Sequence, residues 1–491
     1  MAALDVAIVV LYLGVTLGLG FLRRPEATGS PARGHYLLAG RRLTLPAFVA
    51  TTVSTFYGGV LGVGEYAYDH GISNWLVFGV PYYLYAALFA VFLAGRACQS
   101  RALTLPDRVR AVHGPGPGLL ASIVVTVTSL PAAYLLELGV LTREVFGGSL
   151  EVSASLMTLF SVLYVWRGGF RTIIRTGFLQ FACMYGGFAL VLGILVGTRG
   201  GLSFLQASVP PGHWTWHGGL PAQSILLWYF VASSTLVEPT FYQHCFAARS
   251  PAVARRGIAW SIAFWVLFDL MTTFTGLYAR ALVDLGDIPS AEAYPQLARA
   301  VLPPGLMGVF LVALLATVMS TVEGYLFVAA STLGRDLLGR LDRFRDREAT
   351  ATRWALVAIA VASLVIALAS RSVVRLWHHM GTISTATLLF PVLGAFWPRL
   401  RLPPRRTLLQ MATVLVVTTS WLASRYLGDD GTYLLGIEPI YLGLVVGAAF
   451  FLGRGRSSRR PVQGPDLDPQ GGPRADLAAG EGSLITPPRS T

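Results

Sequence analysis

Charged residues are scarce in this sequence, and lysine is absent altogether. Only 13% of its 491 residues are charged, whereas soluble globular proteins carry about 25%. Every basic residue is an arginine, and the formal net charge is +13. Apolar runs of about 20 residues, long enough to cross a bilayer as a helix, recur along nearly the whole chain. The composition excludes an ordinary soluble protein and predicts an all-α polytopic membrane protein.

Cysteine is also rare, and the usual catalytic motifs are missing. The three cysteines, Cys98, Cys183 and Cys245, have the spacing of neither a metal site nor a disulfide framework. The sequence contains no HExxH or GxSxG motif and no repeated motif like a channel filter. We therefore expect neither an enzyme nor a channel, with no catalytic residues and no organic cofactor.

The arginines cluster in alternate loops between the apolar runs. They follow every odd-numbered run, whereas intervening loops such as 198–221 and 284–303 contain few. Under the positive-inside rule, this pattern places the N-terminus outside and the C-terminus in the cytoplasm. The positive charge is therefore a topology signal for a multi-pass protein of the cell membrane. We expect a lipid bilayer around the chain, no nucleic-acid partner and no obligate protein partner.

The apolar runs predict about 13 transmembrane helices of roughly 20 residues each. Their approximate bounds are 3–22, 44–68, 73–95, 117–141, 150–166, 177–197, 222–246, 257–283, 304–332, 352–370, 374–397, 407–425 and 433–453. The first run lacks the basic flank and the cleavage site of a signal peptide, so we interpret it as a retained span.

Two of these spans, the second and the seventh, carry patterns that interrupt a helix. The second contains Gly58, Gly59, Gly62 and Gly64, and the seventh contains a Ser-Ser-Thr run followed by Pro239. Interrupted helices in corresponding positions of two halves are typical of inverted-repeat transporters, which bind substrate and ion near the membrane midplane. The alternative is that small residues let the helices pack closely.

The ninth span places polar groups in the middle of an apolar run. Ser320, Thr321 and Glu323 lie within one helical turn, and a carboxylate at mid-membrane is unfavourable by about 2.5–3.5 kcal/mol. Two neighbouring hydroxyls, with carbonyls from an unwound helix, would form the oxygen-only site that hard cations prefer. Alternatively, the hydroxyls bond back to carbonyls of their own helix.

Several motifs in order along the chain resemble those of the sodium:solute symporter family, over about residues 1–453. They are YLLAGRRLTLP (36–46), GEYAYDHGIS (64–73), TLPDRVRAVHG (104–114), RGGFRTIIRTGFLQ (167–180), FYQHCFAARSPAVARRG (241–257), TVMST (317–321) with Arg335-Asp336, and LLFPVLGAFWPR (388–399). The resemblance implies the leucine-transporter-like fold, a 5+5 inverted-repeat core with spans two and seven broken.

The resemblance also implies a coupling sodium ion and its ligands. Hydroxyls come from Ser320 and Thr321, and backbone carbonyls come from Thr317 and from near Thr52 and Thr55. Gly177 stands where members with a second sodium site have an aspartate, which implies one ion per cycle. Glu323 occupies a position often held by aspartate or a small polar residue. Proton coupling through Glu323 therefore stays an alternative.

A substrate pocket is expected between spans two, four, seven and eleven. Its candidate lining residues are Phe56, Tyr57, Gly59, Trp228, Ser233, Ser234 and Thr385. Glu137 is a second intramembrane carboxylate with a possible coupling role, whereas Tyr82 and Tyr83 are expected at the interface or in the core. Aromatics with a few hydroxyls suit a small polar organic solute. Sugar is disfavoured because the sugar-carrying members of the family use a lysine in this pocket, and this chain contains none.

Together these features predict a sodium-coupled symporter that imports its solute by alternating access. The alternatives are a proton-coupled symporter using Glu323, and a transporter-like membrane sensor. The expected divisions are a first span with its cytoplasmic loop (1–43), a first five-helix repeat (44–197), an outer loop (198–221), a second repeat (222–398), two accessory spans (399–453) and a disordered cytoplasmic tail (454–491).

Overall fold

The computed structural model describes residues 1–21, 35–341, 344, 347–370, 372–426 and 432–452. Within these ranges the chain is helical and contains no β-strand, although one isolated parallel bridge pairs Leu43 with Ala248. The predicted tail, 454–491, lies outside the described residues. The all-α fold class is confirmed.

The α-helices are numbered here in chain order. They are α1 (Ala3–Phe21), α2 (His35–Leu38), α3 (Leu45–Phe56), α4 (Val60–His70), α5 (Val80–Leu88), α6 (Gly95–Gln99), α7 (Leu105–His113), α8 (Pro115–Thr128), α9 (Ala132–Phe146), α10 (Leu150–Gly168), α11 (Phe170–Arg199), α12 (Leu202–Ser208), α13 (Ala222–Val231), α14 (Pro239–Ala247), α15 (Pro251–Leu282), α16 (Ala293–Val301), α17 (Leu306–Ser331), α18 (Glu348–Ser370), α19 (Val373–Phe396), α20 (Pro404–Ser424) and α21 (Pro439–Leu452). Three π-helical segments, Trp75–Gly79, Phe89–Ala94 and Thr332–Leu337, continue these helices, and short 3₁₀ turns join others.

Within the described residues, nine helical stretches are long and apolar enough to cross a membrane. A tenth is the pair α3 and α4, whose axes meet at 61°. The predicted spans 150–166, 222–246 and 433–453 fall on α10, on the interrupted α13–α14 stretch and on α21, which are not among the nine. The chain is a multi-pass helical membrane protein, and the number 13 stays a prediction.

Both predicted interruptions occur in the structure. The first separates α3 from α4 at Tyr57–Gly59, and the second is a 3₁₀ segment, Ala232–Val237, between α13 and α14. Proline explains the second restart, because Pro239 has no amide proton to donate and is favoured in the first helical turn. Glu238 caps the new helix by accepting a hydrogen bond from the Thr240 amide at 3.2 Å.

Helix α17 forms the centre of the bundle. Of the most apolar stretch in Leu306–Arg340, 89% is buried, against 28% for α1 at the periphery. One end of α17 is fixed by Asp5, whose Oδ1 accepts hydrogen bonds from the amides of Gly305 (2.7 Å) and Gly308 (2.8 Å). A carboxylate suits this end because the free amides carry partial positive charge.

The other end of α17 is held by a network of charges. The Arg335 guanidinium lies 2.7 Å from Asp336, 2.9 Å from Glu348 and 3.4 Å from Asp107. Thr104 donates to Asp336 at 2.6 Å and caps α7 through the Asp107 amide. The TLPD and Arg-Asp motifs, far apart in sequence, therefore meet in space.

Candidate functional site

The middle of α17 crosses the first helix break at very short range. Gly58 has no room for a side chain, because an added Cβ would overlap the Thr321 side chain. One turn along α17, a Cβ on Gly324 would overlap the Thr55 methyl group. Two glycines, Gly58 in the break and Gly324 on α17, therefore let the backbones approach, which brings the α17 hydroxyls to the unwound segment.

Four oxygen atoms gather at this crossing. The Ser320 hydroxyl lies 2.7 Å from the Ser54 carbonyl and 2.8 Å from the Thr317 carbonyl. The Thr321 hydroxyl lies 3.3 Å and 3.4 Å from the same two carbonyls. We call these atoms the oxygen cluster. Back-bonding within α17, the alternative raised from sequence, occurs for both hydroxyls, but both also reach across to α3.

The carbonyls expected as ligands on the second span, those of Thr52 and Thr55, are not the ones that the α17 hydroxyls contact. Ser54, between Thr52 and Thr55, supplies the carbonyl that the α17 hydroxyls contact. The side-chain hydroxyls of Thr52 and Thr55 are buried and have no hydrogen-bond partner within the described residues. The Thr317 hydroxyl turns away from the cluster and donates to the Ala313 carbonyl at 2.7 Å.

The oxygen cluster has the chemistry of a site for a hard cation. Ser54 is in the last turn of α3, where carbonyls lose their helical partners and carry partial negative charge. Each oxygen in the cluster can serve as a ligand, and neither nitrogen nor sulfur takes part. When a cation binds, the two hydroxyl protons can turn away from it, because hydroxyls rotate freely.

Glu323 lies one turn along α17 but contacts different helices. Its carboxylate accepts hydrogen bonds from Thr176 at 2.6 Å, from Gln180 and from Tyr164, and the residue is fully buried. Three donors on two oxygens satisfy much of the hydrogen-bonding capacity of an ionised carboxylate. The donors around Glu323 are therefore already placed to hold a carboxylate, next to the oxygen cluster.

Gly177 closes the space in which an aspartate would support a second sodium site. A Cβ at this position would lie 2.8 Å from the Thr51 methyl carbon. Helix α11 thus packs directly on α3, and a carboxylate side chain at this position would have to displace the Thr51 side chain.

A cavity of about 190 Å³ opens beside the first break. Its walls come from both broken spans and from α5, α8, α9, α15, α17 and α19. The polar and aromatic residues lining it are Phe56, Tyr57, Phe78, Tyr82, Tyr83, Thr128, Tyr134, Ser234, Glu238, Trp265, Asp269, Tyr325, Trp377 and Ser384. Its size is below the roughly 300–1,000 Å³ of pockets for drug-sized ligands, which indicates a small solute.

Four of the seven predicted pocket residues line this cavity: Phe56, Tyr57, Gly59 and Ser234. The other three are not among its lining residues. Trp228 packs against the lining residue Phe78 in a tilted arrangement, with ring centres 4.3 Å apart. Ser233 donates to the Phe230 carbonyl, and Thr385 is buried with no hydrogen-bond partner for its hydroxyl in the described part of the chain.

Sequence reasoning missed the two acidic residues of the cavity and much of its aromatic wall. Tyr82 and Tyr83, expected at the interface or in the core, line the cavity, and Tyr83 also packs against the apolar core. Helix α5 packs against the 3₁₀ segment of the seventh span and presents them there. Asp269 accepts hydrogen bonds from Tyr57 and Tyr83. An aspartate in the middle of an apolar run was the available signal for it.

Glu137 contacts the break rather than the oxygen cluster. Its Oε2 accepts a hydrogen bond from the Leu61 amide at 3.4 Å, in the first turn of α4. Its Oε1 is buried without a partner within the described residues. Glu137 therefore places a carboxyl oxygen at the positive end of the α4 dipole.

Comparison with known proteins identifies the family. The sequence model of the sodium:solute symporter family matches residues 36–402, well over half of the chain. The chain belongs to the sodium:solute symporter family. It is a membrane transporter rather than an enzyme, and its family carries small-molecule solutes with sodium.

Relatives of this symporter are distant in sequence but similar in length. The sodium/pantothenate symporter of Escherichia coli is 24% identical over 475 residues, which cover 90% of this chain and 94% of the relative. The sodium/glucose cotransporter of Vibrio parahaemolyticus is 22% identical over 454 residues, covering 81% of both. The solutes in their names differ, so neither name identifies the solute of this symporter.

A solved structure supports the fold. The substrate-bound, outward-open structure of a Na⁺-coupled sialic acid symporter superposes with a TM-score of 0.73 at 16% identity, covering 91% of this chain and 96% of that one. At this identity the likeness concerns the fold alone. The family match, independently of this likeness, supports Na⁺ as the coupling ion.

Proposed function

We propose that this symporter couples the entry of one sodium ion to the import of a small polar organic solute by alternating access. The contact of Ser320 and Thr321 with the carbonyl end of α3 carries the proposal. The sodium ligands are the hydroxyls of Ser320 and Thr321 and the carbonyl of Thr317, together with α3 carbonyls at Ser54 and at the predicted positions Thr52 and Thr55.

Coupling follows from the position of the break. Ser54 precedes by two residues the segment Phe56–Gly59, three of whose residues line the cavity. A cation that joins α17 to the end of α3 would fix the backbone of that segment, and with it one wall of the cavity. Sodium therefore binds more tightly to the conformation that accepts solute than to the other conformation. This difference in affinity is what shifts the conformational equilibrium toward the solute-accepting state.

The architecture proposed for this cycle is thirteen spans with the N-terminus outside and the C-terminus in the cytoplasm. Two inverted repeats, 44–197 and 222–398, follow the first span and loop (1–43) and flank an outer loop (198–221). Two accessory spans (399–453) and a cytoplasmic tail (454–491) complete the chain. The two helix breaks, one in each proposed repeat, support this division.

Alternating access can be tested with a single thiol in the cavity. Ser234→Cys would be placed in a chain whose native Cys98, Cys183 and Cys245 are replaced, and the protein would be reconstituted in liposomes. We expect sodium to change the rate at which a membrane-impermeant thiol reagent labels position 234 from one side. Equal labelling with sodium and with potassium would contradict the proposal.

Glu323 favours one alternative, proton coupling, because it is a fully buried carboxylate in contact with three donors. If protons couple transport through Glu323, the stability of the wild type should depend on pH and that of Glu323→Gln should not. Sodium should then stabilise neither protein. The sodium proposal requires stabilisation by sodium that survives in Glu323→Gln. Thermal unfolding in the two salts over a pH series separates them.

A further inference from the structure

The charge of the cavity has a single sign. Among the described residues that line it, the ionisable acids are Glu238 and Asp269, and no arginine or histidine takes part. Glu238 is partly exposed and reaches the cavity from the second helix break. The Asp269 carboxylate, on α15, is held by the hydroxyls of Tyr57 and Tyr83. A solute in this space is therefore exposed to negative potential from two elements.

Aromatic rings cover two sides of the same space. On one side, Tyr134 lies 5.4 Å from Tyr325 and 6.1 Å from Trp377, between ring centres. On the other, Phe56 lies 5.0 Å from Trp265. The faces of such rings carry negative charge and attract cations, including quaternary ammonium groups held in aromatic cages.

At both helix breaks, one of the amides that could bind a solute carboxylate already donates to a carboxylate of the chain. Free amides at the start of a helix broken inside the membrane are the usual partners for such an anion. At the start of α4 the Leu61 amide donates to Glu137 at 3.4 Å, and at the start of α14 the Thr240 amide donates to Glu238 at 3.2 Å. The chain supplies its own carboxylate at both ends, so an amino acid or other acid would meet repulsion there.

We propose that the cavity binds a small organic cation, an amine or quaternary ammonium compound without a carboxylate, with Glu238 as its ion-pair partner. This inference rests on the proposed symport function and names its substrate class. Glu238 is the partner because it is partly exposed in the cavity, where it accepts hydrogen bonds from Thr240 through Oε1 and from the Tyr325 hydroxyl, whereas Asp269 is buried and already held by two tyrosine hydroxyls. Asp269 adds negative potential to the same space.

Matched probes can test the charge requirement directly. The midpoint of thermal unfolding of the full-length protein would be measured in sodium chloride with ethanolamine, putrescine and choline. Dimethylbutanol, the uncharged carbon isostere of choline, and glycine betaine, which adds a carboxylate, serve as matched controls. We expect at least one cation to raise the midpoint, and neither control compound to do so.

A matched pair of variants tests the partner. Glu238→Gln keeps an oxygen for the Thr240 amide but removes the charge, so we expect it to weaken binding of the cation about tenfold or more, since about 1.4 kcal/mol corresponds to tenfold. Asp284→Asn removes the same charge from an exposed loop and should leave binding unchanged. The choline and dimethylbutanol comparison does not depend on either variant folding.

The outcomes separate this inference from the symport proposal. A normal sodium response, with no stabilisation by any of the three cations, would overturn the inference and leave symport standing. Stabilisation by choline that dimethylbutanol matches, or equal affinity for the stabilising cation in Glu238→Gln, would also overturn it. Stabilisation by a cation that is the same in sodium and potassium, with no effect of sodium alone, would support the inference and refute sodium coupling.

Discussion

Replacing Ser320 by alanine removes the hydroxyl with the shortest contacts in the oxygen cluster, 2.7 Å and 2.8 Å to two carbonyls. Without sodium, those buried carbonyls lose a donor, and we expect the free energy of unfolding to fall by about 1–3 kcal/mol. In the wild type, sodium at about 100 times its dissociation constant should add about 2.7 kcal/mol. If the dissociation constant rises about 100-fold in the variant, the same sodium adds only about 0.4 kcal/mol.

The assay is thermal unfolding of purified protein in sodium chloride and in potassium chloride at equal ionic strength. Potassium replaces sodium because an organic cation such as choline is itself a candidate ligand. Ser331→Ala is the matched control, since it removes another buried hydroxyl from the same helix far from the oxygen cluster. If Ser320→Ala keeps the full sodium response, the hydroxyl is not a sodium ligand and the site assignment fails.

Three further predictions concern the framework of the site. Gly59→Ala places a methyl group on the Trp377 ring, so it should destabilise the protein by about 1–3 kcal/mol; Trp377→Phe in the same chain should recover part of that loss, and no recovery in unfolding experiments would contradict the packing. Asp5→Ala removes the cap of α17 and should cost about 1–2 kcal/mol, whereas an unchanged unfolding curve would show that the cap is dispensable. Burial lowers the pKa of His113, which favours its neutral form in the folded state. Stability should therefore fall as the pH drops below about 6.5, the unfolded value, and His113→Gln should reduce that fall in a pH series of unfolding midpoints.

The helical framework was predictable because apolar length and arginine placement act locally along the chain. The first break was predictable for a similar reason: consecutive glycines at 58 and 59 remove both side-chain packing and helix propensity. Ser320 and Thr321 were identified because hydroxyls next to a carboxylate are unusual within an apolar run. These features are visible without knowing which helices are neighbours.

The cavity was only partly predictable because its walls come from eight helical segments. Whether Tyr82 faces lipid, core or cavity depends on the packing of α5 against the seventh span, which no local pattern encodes. The same holds for Ser54: three hydroxyl residues surround it, and only the crossing with α17 decides which carbonyl meets Ser320. Glu238 both caps α14 and lines the cavity, and only the packed structure shows the second role.

The two adjacent glycines at the first break pack against two different helices, α17 and α19. A Cβ at Gly58 would overlap the Thr321 side chain, and a Cβ at Gly59 would overlap the Trp377 ring. Over evolutionary divergence, neither position can gain a side chain unless its partner shrinks in the same lineage. We therefore expect positions 58 and 321 to covary separately from positions 59 and 377. The first pair adjoins the oxygen cluster and the second adjoins the cavity. Two neighbouring positions would then change with two different functions, ion binding and solute choice.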